Sequence, residues 1–434
     1  MRHRIVFMLL GFWILTVGFA GLHAQGLPAV LPANEDSWSP IGLGTNGIVY
    51  SLAVYNNSLI AGGQFSIAGG TAVSCIAAWN GTAWVPLGAG MNGIVQAMIV
   101  FDNKLIAGGQ FTTAGGEAAS YIAAWDGASW SPLGTGMDGF VEALVVYDGK
   151  LIAGGRFTLA GGTPVHYIAA WDGASWSSVG SGMGGFDNPY VLSLAVYDNL
   201  LIAGGAFSSA GGGTAARIAA WDGFSWSPLG SGFSNRVDAL TVYDSKLIAG
   251  GWFTTAGGNA ANHIAAWDGA SWSPLGSGMG GAVGPYVEAL AVLEGKLFAG
   301  GQFTTAGGNE VDYVAAWDGS AWSSLGSGFN STVWALDVFH NVIIAGGNFT
   351  ASGIIPTAYI ASWARIPYIC GDANGDQEVN VGDAVFLVNY IFRDGPAPDP
   401  VEAGDVNCSG DVNIGDAIYI ISYVLRGGSP PCCL

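Results

Sequence analysis

Short apolar runs alternate with glycine- and aspartate-rich breaks along most of the chain. Val141 to Tyr147 is one such run, rich in β-forming residues. Asp148-Gly149 follows, a pair suited to a two-residue hairpin whose central positions need positive φ. Leu151–Phe157 predicts a second strand. A Gly-rich stretch, Thr158 to Val165, leads to a third at Tyr167–Trp171. Asp172-Gly173-Ala174-Ser175 turns the chain again, and Trp176–Val179 predicts a fourth. Four antiparallel strands in about 46 residues predict one propeller blade.

The unit recurs. Ala-Gly-Gly-x-Phe starts at Ala61, Ala107, Ala153, Ala203, Ala249, Ala299 and Ala345, in steps of 46 or 50. A tryptophan keeps the same step from Trp79 to Trp363. The outer-strand wording Ser-Trp-Ser-Pro first appears at Ser37–Pro40, before any complete unit, and is missing after Trp363. The N-terminal strand is therefore expected to complete the seventh blade. Closing the ring this way removes free sheet edges. The predicted fold is all-β, a seven-bladed β-propeller of four-stranded blades over 25–363.

Composition agrees. Of 434 residues, 50% are hydrophobic and 10% charged, the reverse of a disordered chain. The 71 glycines follow no Gly-X-Y period, which excludes collagen. Basic Met1–Arg4, apolar Ile5 to Leu22 and small Ala24 read as a signal peptide over 1–24; uncleaved, the run would act as an anchor. No other segment is expected to span a membrane. Without Arg2 and Arg4, the 12 basic residues fall to 10 against 31 acidic ones, which excludes a nucleic-acid partner. A secreted or surface-associated protein is expected.

In a four-stranded meander the short Asp-Gly hairpins fall on one face. The longer second-to-third and blade-to-blade loops fall on the other, where recognition is expected. Two four-residue insertions also belong there, at 184–190 and 280–286. They contribute Phe186, Asp187, Asn188, Tyr190 and Tyr286, and would sit beside blades four and six, apart from each other. At the start of each inner strand one position varies: Tyr50, Gln96, Glu142, Leu192, Asp238, Glu288 and Trp334. These are placed near the channel mouth, where three carboxylates and two aromatics would suit a sugar, a cation or a protein ligand. The alternative is that they tune packing between blades. The variable residue of Gly-Gly-x-Phe, including Arg156 and Trp252, ranks below them.

The repeat frame, a Gly-Gly doublet and then Ala-Ala-Trp-Asp-Gly-Ala-Ser-Trp-Ser-Pro-Leu as at 123–133, resembles kelch-type propellers over 37–363. That resemblance implies a fold and no single function. Some kelch-fold relatives are copper oxidases, whose chemistry needs clustered His and Tyr ligands. Here His166, His263 and His340 fall in different units at non-equivalent places. No Ser/His/Asp constellation can be placed. Cys75 aligns with Tyr121 and Tyr167 and reads as a core filler. The expectation is a non-catalytic protein. A glycosidase using the mouth carboxylates and a structural component of an extracellular layer are the alternatives.

After Trp363 the repeats end. Residues 364–369 read as a linker, and 370–434 as a separate helical domain. Two twelve-residue loops follow, 33 residues apart. The first carries Asp372, Asn374, Asp376, Glu378, Asn380 and Asp383. The second carries Asp405, Asn407, Ser409, Asp411, Asn413 and Asp416. Oxygen side chains at positions 1, 3, 5, 9 and 12, with the position 7 carbonyl, suit a hard cation. Apolar helices are expected at Ala384–Phe392 and Ala417–Leu425. The pair resembles the type I dockerin duplication, which implies two Ca²⁺ ions and a cohesin-like or cell-surface partner. It departs from the pattern at Gln377, which replaces a turn glycine. Val381-Gly382 and Ile414-Gly415 stand where cohesin-binding dockerins often carry Ser/Thr pairs. Cys370, ahead of the first loop, and Cys432-Cys433, after the second helix, suggest a disulfide clasp.

Overall fold

The computed structural model describes residues 37–363 and 370–431, except 186–187, 282–283, 375–377, 394, 397, 399–402, 408, 410 and 429–430. The expected signal peptide and linker lie outside the described residues. So do Phe186, Asp187, Asp376, Gln377, Cys408, Cys432 and Cys433.

Seven four-stranded antiparallel sheets form the propeller. In blade 3 the strands are Val141–Tyr147, Lys150–Gly155, Ile168–Trp171 and Trp176–Ser178. The hairpin between the first two places Asp148 at φ 48° and Gly149 at φ 68°, as its turn type demands. Blade 7 takes its outer strand from the other end of the chain: Trp38–Pro40 pairs with Ile360–Trp363, Trp38 opposite Trp363. The inner strands of blades 7 and 1 also touch, so the ring is closed.

The third strand begins one residue later than expected. Tyr167 is left-handed, at φ 66°. Its N–H donates to Phe157 O while its carbonyl accepts from Gly155 N–H, which turns the chain before the strand starts. Cys75 and His263 occupy the same position at φ 60° and 66°. Both are therefore frame residues of the blade. The Gly-rich stretch before this turn is a small hairpin in its own right, Leu159–Ala160 against Thr163–Pro164.

The glycine doublet does two jobs. A Cβ on Gly108 would lie 2.5 Å from Val141 Cγ1 of the next blade, so the first glycine lets the sheets close up. A Cβ on Gly109 would lie 2.0 Å from Ile94 O within its own blade. The second glycine therefore lets the second strand lie against an irregular inner strand. Each inner strand shifts register there: Val95 pairs with Gly109 and Ala97 with Gly108, leaving Gln96 as a bulge. All seven blades do this.

A circumferential girdle ties the blades together. Each outer-strand tryptophan donates its indole N–H to a carbonyl of the preceding blade's outer edge, as Trp130 does to Leu87 O at 2.9 Å and Trp176 to Leu133 O at 3.1 Å. Trp38 completes the circle by donating to Leu325 O at 3.2 Å.

In the C-terminal module, α1 spans Val381–Arg393 and α2 spans Ile414–Arg426. Ala384, Leu387, Ala417 and Ile420 form its core with Ala373 and Val406. Both helices begin three residues earlier than expected. Asn413 Oδ1 accepts from Gly415 N–H while Asp416 accepts from Asn413 N–H, a reciprocal cap that draws the loop's last residues into the helix. Asn380 and Asp383 repeat it in α1. A Cβ on Gly371 would fall 2.9 Å from Pro431, so the module's two ends meet. Cys370 is disulfide-bonded, with its partner outside the described residues.

Candidate functional site

The seven bulge residues are the seven variable positions of the inner strands. A bulge re-aims its side chain, and here seven are re-aimed at one level of a closed ring. Convergence shows in contacts between blades. Tyr50 and Trp334, of blades 1 and 7, have ring centroids 5.6 Å apart. The charge of Glu142 in blade 3 raises the pKa of both Asp238 in blade 5 and Glu288 in blade 6, two and three blades away. Sequence adjacency cannot bring these together, so they face one another around the opening.

Arg236 organises the acidic side. Its Nε donates to Asp238 Oδ2 at 3.2 Å and lies 3.0 Å from Oδ1, off the hydrogen-bond direction; its Nη2 reaches Glu288 Oε1 at 3.4 Å. Arg156 pairs with Glu142 and lies 3.9 Å over the Tyr190 ring. Trp252 stacks on Tyr286 at 4.4 Å and 12°, with Arg236 over the indole at 4.8 Å. Burial raises the Asp238 carboxyl to about 7 against the pull of Arg236. Burial and the neighbouring Asp238 hold Glu288 well above the usual carboxylate range. The Tyr286 hydroxyl is pushed up to about 12 by burial and Glu288.

Tyr50, Gln96, Glu142, Asp238, Glu288 and Trp334 are thus brought to one mouth, joined by Tyr190 and Tyr286 from the two insertions. The insertions flank blade 5, and Arg236 links the two sides: its charge is favoured by Asp238, Glu288 and Tyr190 together. Asn188 is exposed and makes none of these contacts. Arg236 escaped the sequence reading, and Arg156 and Trp252 were ranked low. The signal was present. Arg236 sits two positions before the bulge, in the same column of the repeat as Tyr190, Tyr286 and Thr332. The three histidines stay apart: His166 meets Ser181 O, His263 lies buried against Gly251 O, and His340 lies in a hairpin near Asn57.

In the second C-terminal loop the oxygens gather. Ser409 N–H donates to Asp405 Oδ1 at 2.9 Å and Asn407 Oδ1 at 3.0 Å, and Ser409 Oγ–H donates to Asp411 O at 3.1 Å. Two side-chain oxygens, a hydroxyl and a carbonyl are the hard donors that Ca²⁺ takes. The position 12 carboxylates, Asp383 and Asp416, are fully buried, each accepting from two backbone N–H groups of its own loop. At position 9, Asn380 and Asn413 each accept from a helix N–H through Oδ1 and so cap the helix that follows, with a second lone pair left on each oxygen. Among the described residues, no three His, Cys, Asp or Glu side chains cluster as a metal centre. The first loop, without residues 375–377, is described only in part.

Residues 370–425 match the type I dockerin family model, and residues 32–229 match the Rax2 C-terminal beta propeller domain. The chain couples a β-propeller to a type I dockerin. The kelch-type resemblance is thereby narrowed to the propeller fold. No curated protein matches the chain. Among solved structures, the extracellular domain of a hybrid two-component system from B. thetaiotaomicron is similar at a TM-score of 0.51 and 12% identity, over 79% of this chain. The chain spans 42% of that structure's length. The WD40 beta propeller domain of Doa1 aligns over 75% of this chain and 96% of its own, at 15% identity and a TM-score of 0.48. At 12% identity the first of these likenesses speaks for fold alone. The two modules together fit dockerin-mediated assembly or anchoring, and type I dockerins bind calcium.

Proposed function

We propose that the protein is an exported, non-catalytic recognition module, held through its dockerin by a cohesin-like or cell-surface partner while the propeller presents a binding face. The observation that carries this reading is the duplicated loop–helix unit. It repeats its cap, its buried position 12 aspartate and its exposed apolar stripe at a 33-residue step. Val385 and Phe392 on α1 are 55% and 65% exposed, and their counterparts Ile418 and Leu425 on α2 are 60% and 66%. An apolar stripe uncovered on both helices is a docking face in search of a partner. It supplies by hydrophobic contact what the missing hydroxyl pairs at 381–382 and 414–415 would supply by hydrogen bonds. When bound, Ca²⁺ would neutralise the loop carboxylates and lock each loop against its helix. Asp372, Asn374 and Asp383 would hold one ion, joined by Asp376 from the sequence pattern. Asp405, Asn407, Ser409, Asp416 and the Asp411 carbonyl would hold the other.

Calorimetric titration of the full chain with Ca²⁺ is expected to show two ions. Asp405→Ala should abolish one of them, together with calcium-dependent capture by a cohesin panel. Ca²⁺ uptake by neither loop would sink the anchoring half of the reading.

A second reading, a dockerin-borne carbohydrate-active enzyme, has one observation in its favour: the raised Asp238 and Glu288 carboxyls resemble a protonated general acid. Turnover of a polysaccharide, lost in Glu288→Gln, would decide for it.

A further inference from the structure

The channel mouth is asymmetric. Blades 3, 5 and 6 bring Glu142, Asp238 and Glu288, with Arg156 and Arg236 largely offsetting their charge. Blades 7, 1 and 2 bring Trp334, Tyr50 and Gln96, which carry no charge. Past the bulge, each inner strand carries a leucine or methionine two residues on, such as Leu52 or Met98, packed against the cores between blades.

The polar rim is unfinished. Among the described residues, Gln96 Oε1 and Trp334 Nε1 are buried and have no hydrogen-bond partner. Asp238 Oδ1 lies 3.0 Å from Arg236 Nε in an ion pair, and the Trp252 indole faces Glu288, so these two are engaged within the rim. A buried orphan costs roughly 1–3 kcal/mol, so the other two call for an occupant. One is an acceptor in need of a donor, and the other is an N–H donor in need of an acceptor. A bare cation would leave the Trp334 indole unsatisfied. An anion would leave Gln96 unsatisfied and face three carboxylates. A hydroxyl both donates and accepts, and hydroxyls on one rigid frame answer both atoms. The aromatic rings agree. Trp252 is already engaged by Tyr286 and Arg236, and Tyr190 by Arg156. Trp334 and Tyr50 are partly buried, with ring centroids 5.6 Å apart at 59°, and the Tyr286 ring lies 6.3 Å from Trp334.

We infer that the mouth is a binding site for a neutral saccharide, whose ring packs on Trp334 and Tyr50 and whose hydroxyls bond the Gln96 carbonyl and the Trp334 indole N–H. This deepens the recognition reading and rests on it for the propeller, but it is independent of the dockerin.

The test uses the full chain on an array of neutral oligosaccharides, including β-1,4-, β-1,3- and α-linked glucans, xylans and mannans. Calorimetry follows on the best hit. Binding with quenching of tryptophan fluorescence is expected. Trp334→Phe keeps a ring and removes the N–H, and should weaken binding roughly threefold to tenfold; Gln96→Leu should do the same. Trp334→Ala should abolish it. Ca²⁺ uptake should be unchanged in all three variants, which separates failure at the mouth from failure of the anchoring module. No neutral glycan bound, meaning that ordered water alone fills the mouth, would overturn the inference. So would binding confined to charged glycans, or affinity unmoved by both Trp334→Phe and Gln96→Leu.

Discussion

Trp38 joins the two ends of the propeller, and its replacement by alanine isolates what ring closure contributes. Its side chain is 1% exposed and packs at 4.5 Å on Phe329 and 5.4 Å on Trp363. Its indole N–H donates to Leu325 O. Truncating a buried tryptophan costs about 3–5 kcal/mol, the lost hydrogen bond included. For a propeller spanning 37–363, an unfolding entropy of roughly 2.1 cal/mol/K per residue turns 4 kcal/mol into a Tm decrease of about 6 °C. Differential scanning calorimetry on the wild type, Trp38→Ala and Trp38→Phe reads it directly. The phenylalanine variant keeps most of the packing and should lose only about 1 kcal/mol. Phe224→Ala is the control, because that ring is 92% exposed and its loss should fall within about 0.5 kcal/mol. A Trp38→Ala melting point within a degree of the wild type would refute the reasoning. The N-terminal strand would then be a dispensable addition to a blade that is stable without it.

Two further outcomes are expected. Gly155→Ala should destabilise severely, because its Cβ would stand 2.0 Å from Phe140 O; Gly162→Ala meets nothing within 4 Å and should cost only the strain of its positive φ. Equal losses in urea unfolding would contradict the bulge argument. Asp238 should also make stability depend on pH. Its folded pKa of about 7 lies above the unfolded value of 3.8, so the native state holds the extra proton between them. That contribution is complete below about pH 4 and is lost as pH rises through 7, a span of at most about 4 kcal/mol shared with Glu288. Asp238→Asn should flatten the fall in urea midpoint between pH 5 and 8, and an unchanged slope would show that burial does not hold the proton there.

Much of the architecture was legible because it is local and repeated. Within one 46-residue unit, alternation, an Asp-Gly turn and a tryptophan anchor are short-range features, and their recurrence counts the blades. Even the closing strand was readable, since Ser37–Pro40 repeats wording that the last unit lacks. The calcium loops were readable for the same reason, as donors sit at set intervals on one short segment. What that reading lacked is the second role of Asn380 and Asn413, whose side-chain oxygens also cap the helices that follow.

The mouth is another matter. Its residues lie 46 or 50 positions apart, and nothing local distinguishes a bulge that faces a channel from a strand position that packs between blades. Curvature of the closed ring, and the register shift that each glycine doublet permits, turn seven side chains toward one another. Arg236, unremarkable in its own repeat, becomes the link between two insertions because blade 5 happens to stand between blades 4 and 6. The sequence alone determined the blades, their number, their closure and the duplicated loop–helix units of the dockerin, since neighbours along the chain decide these. Only the tertiary structure decided which variable residues share a site and which of their polar atoms are left without partners, because those depend on groups meeting across the ring.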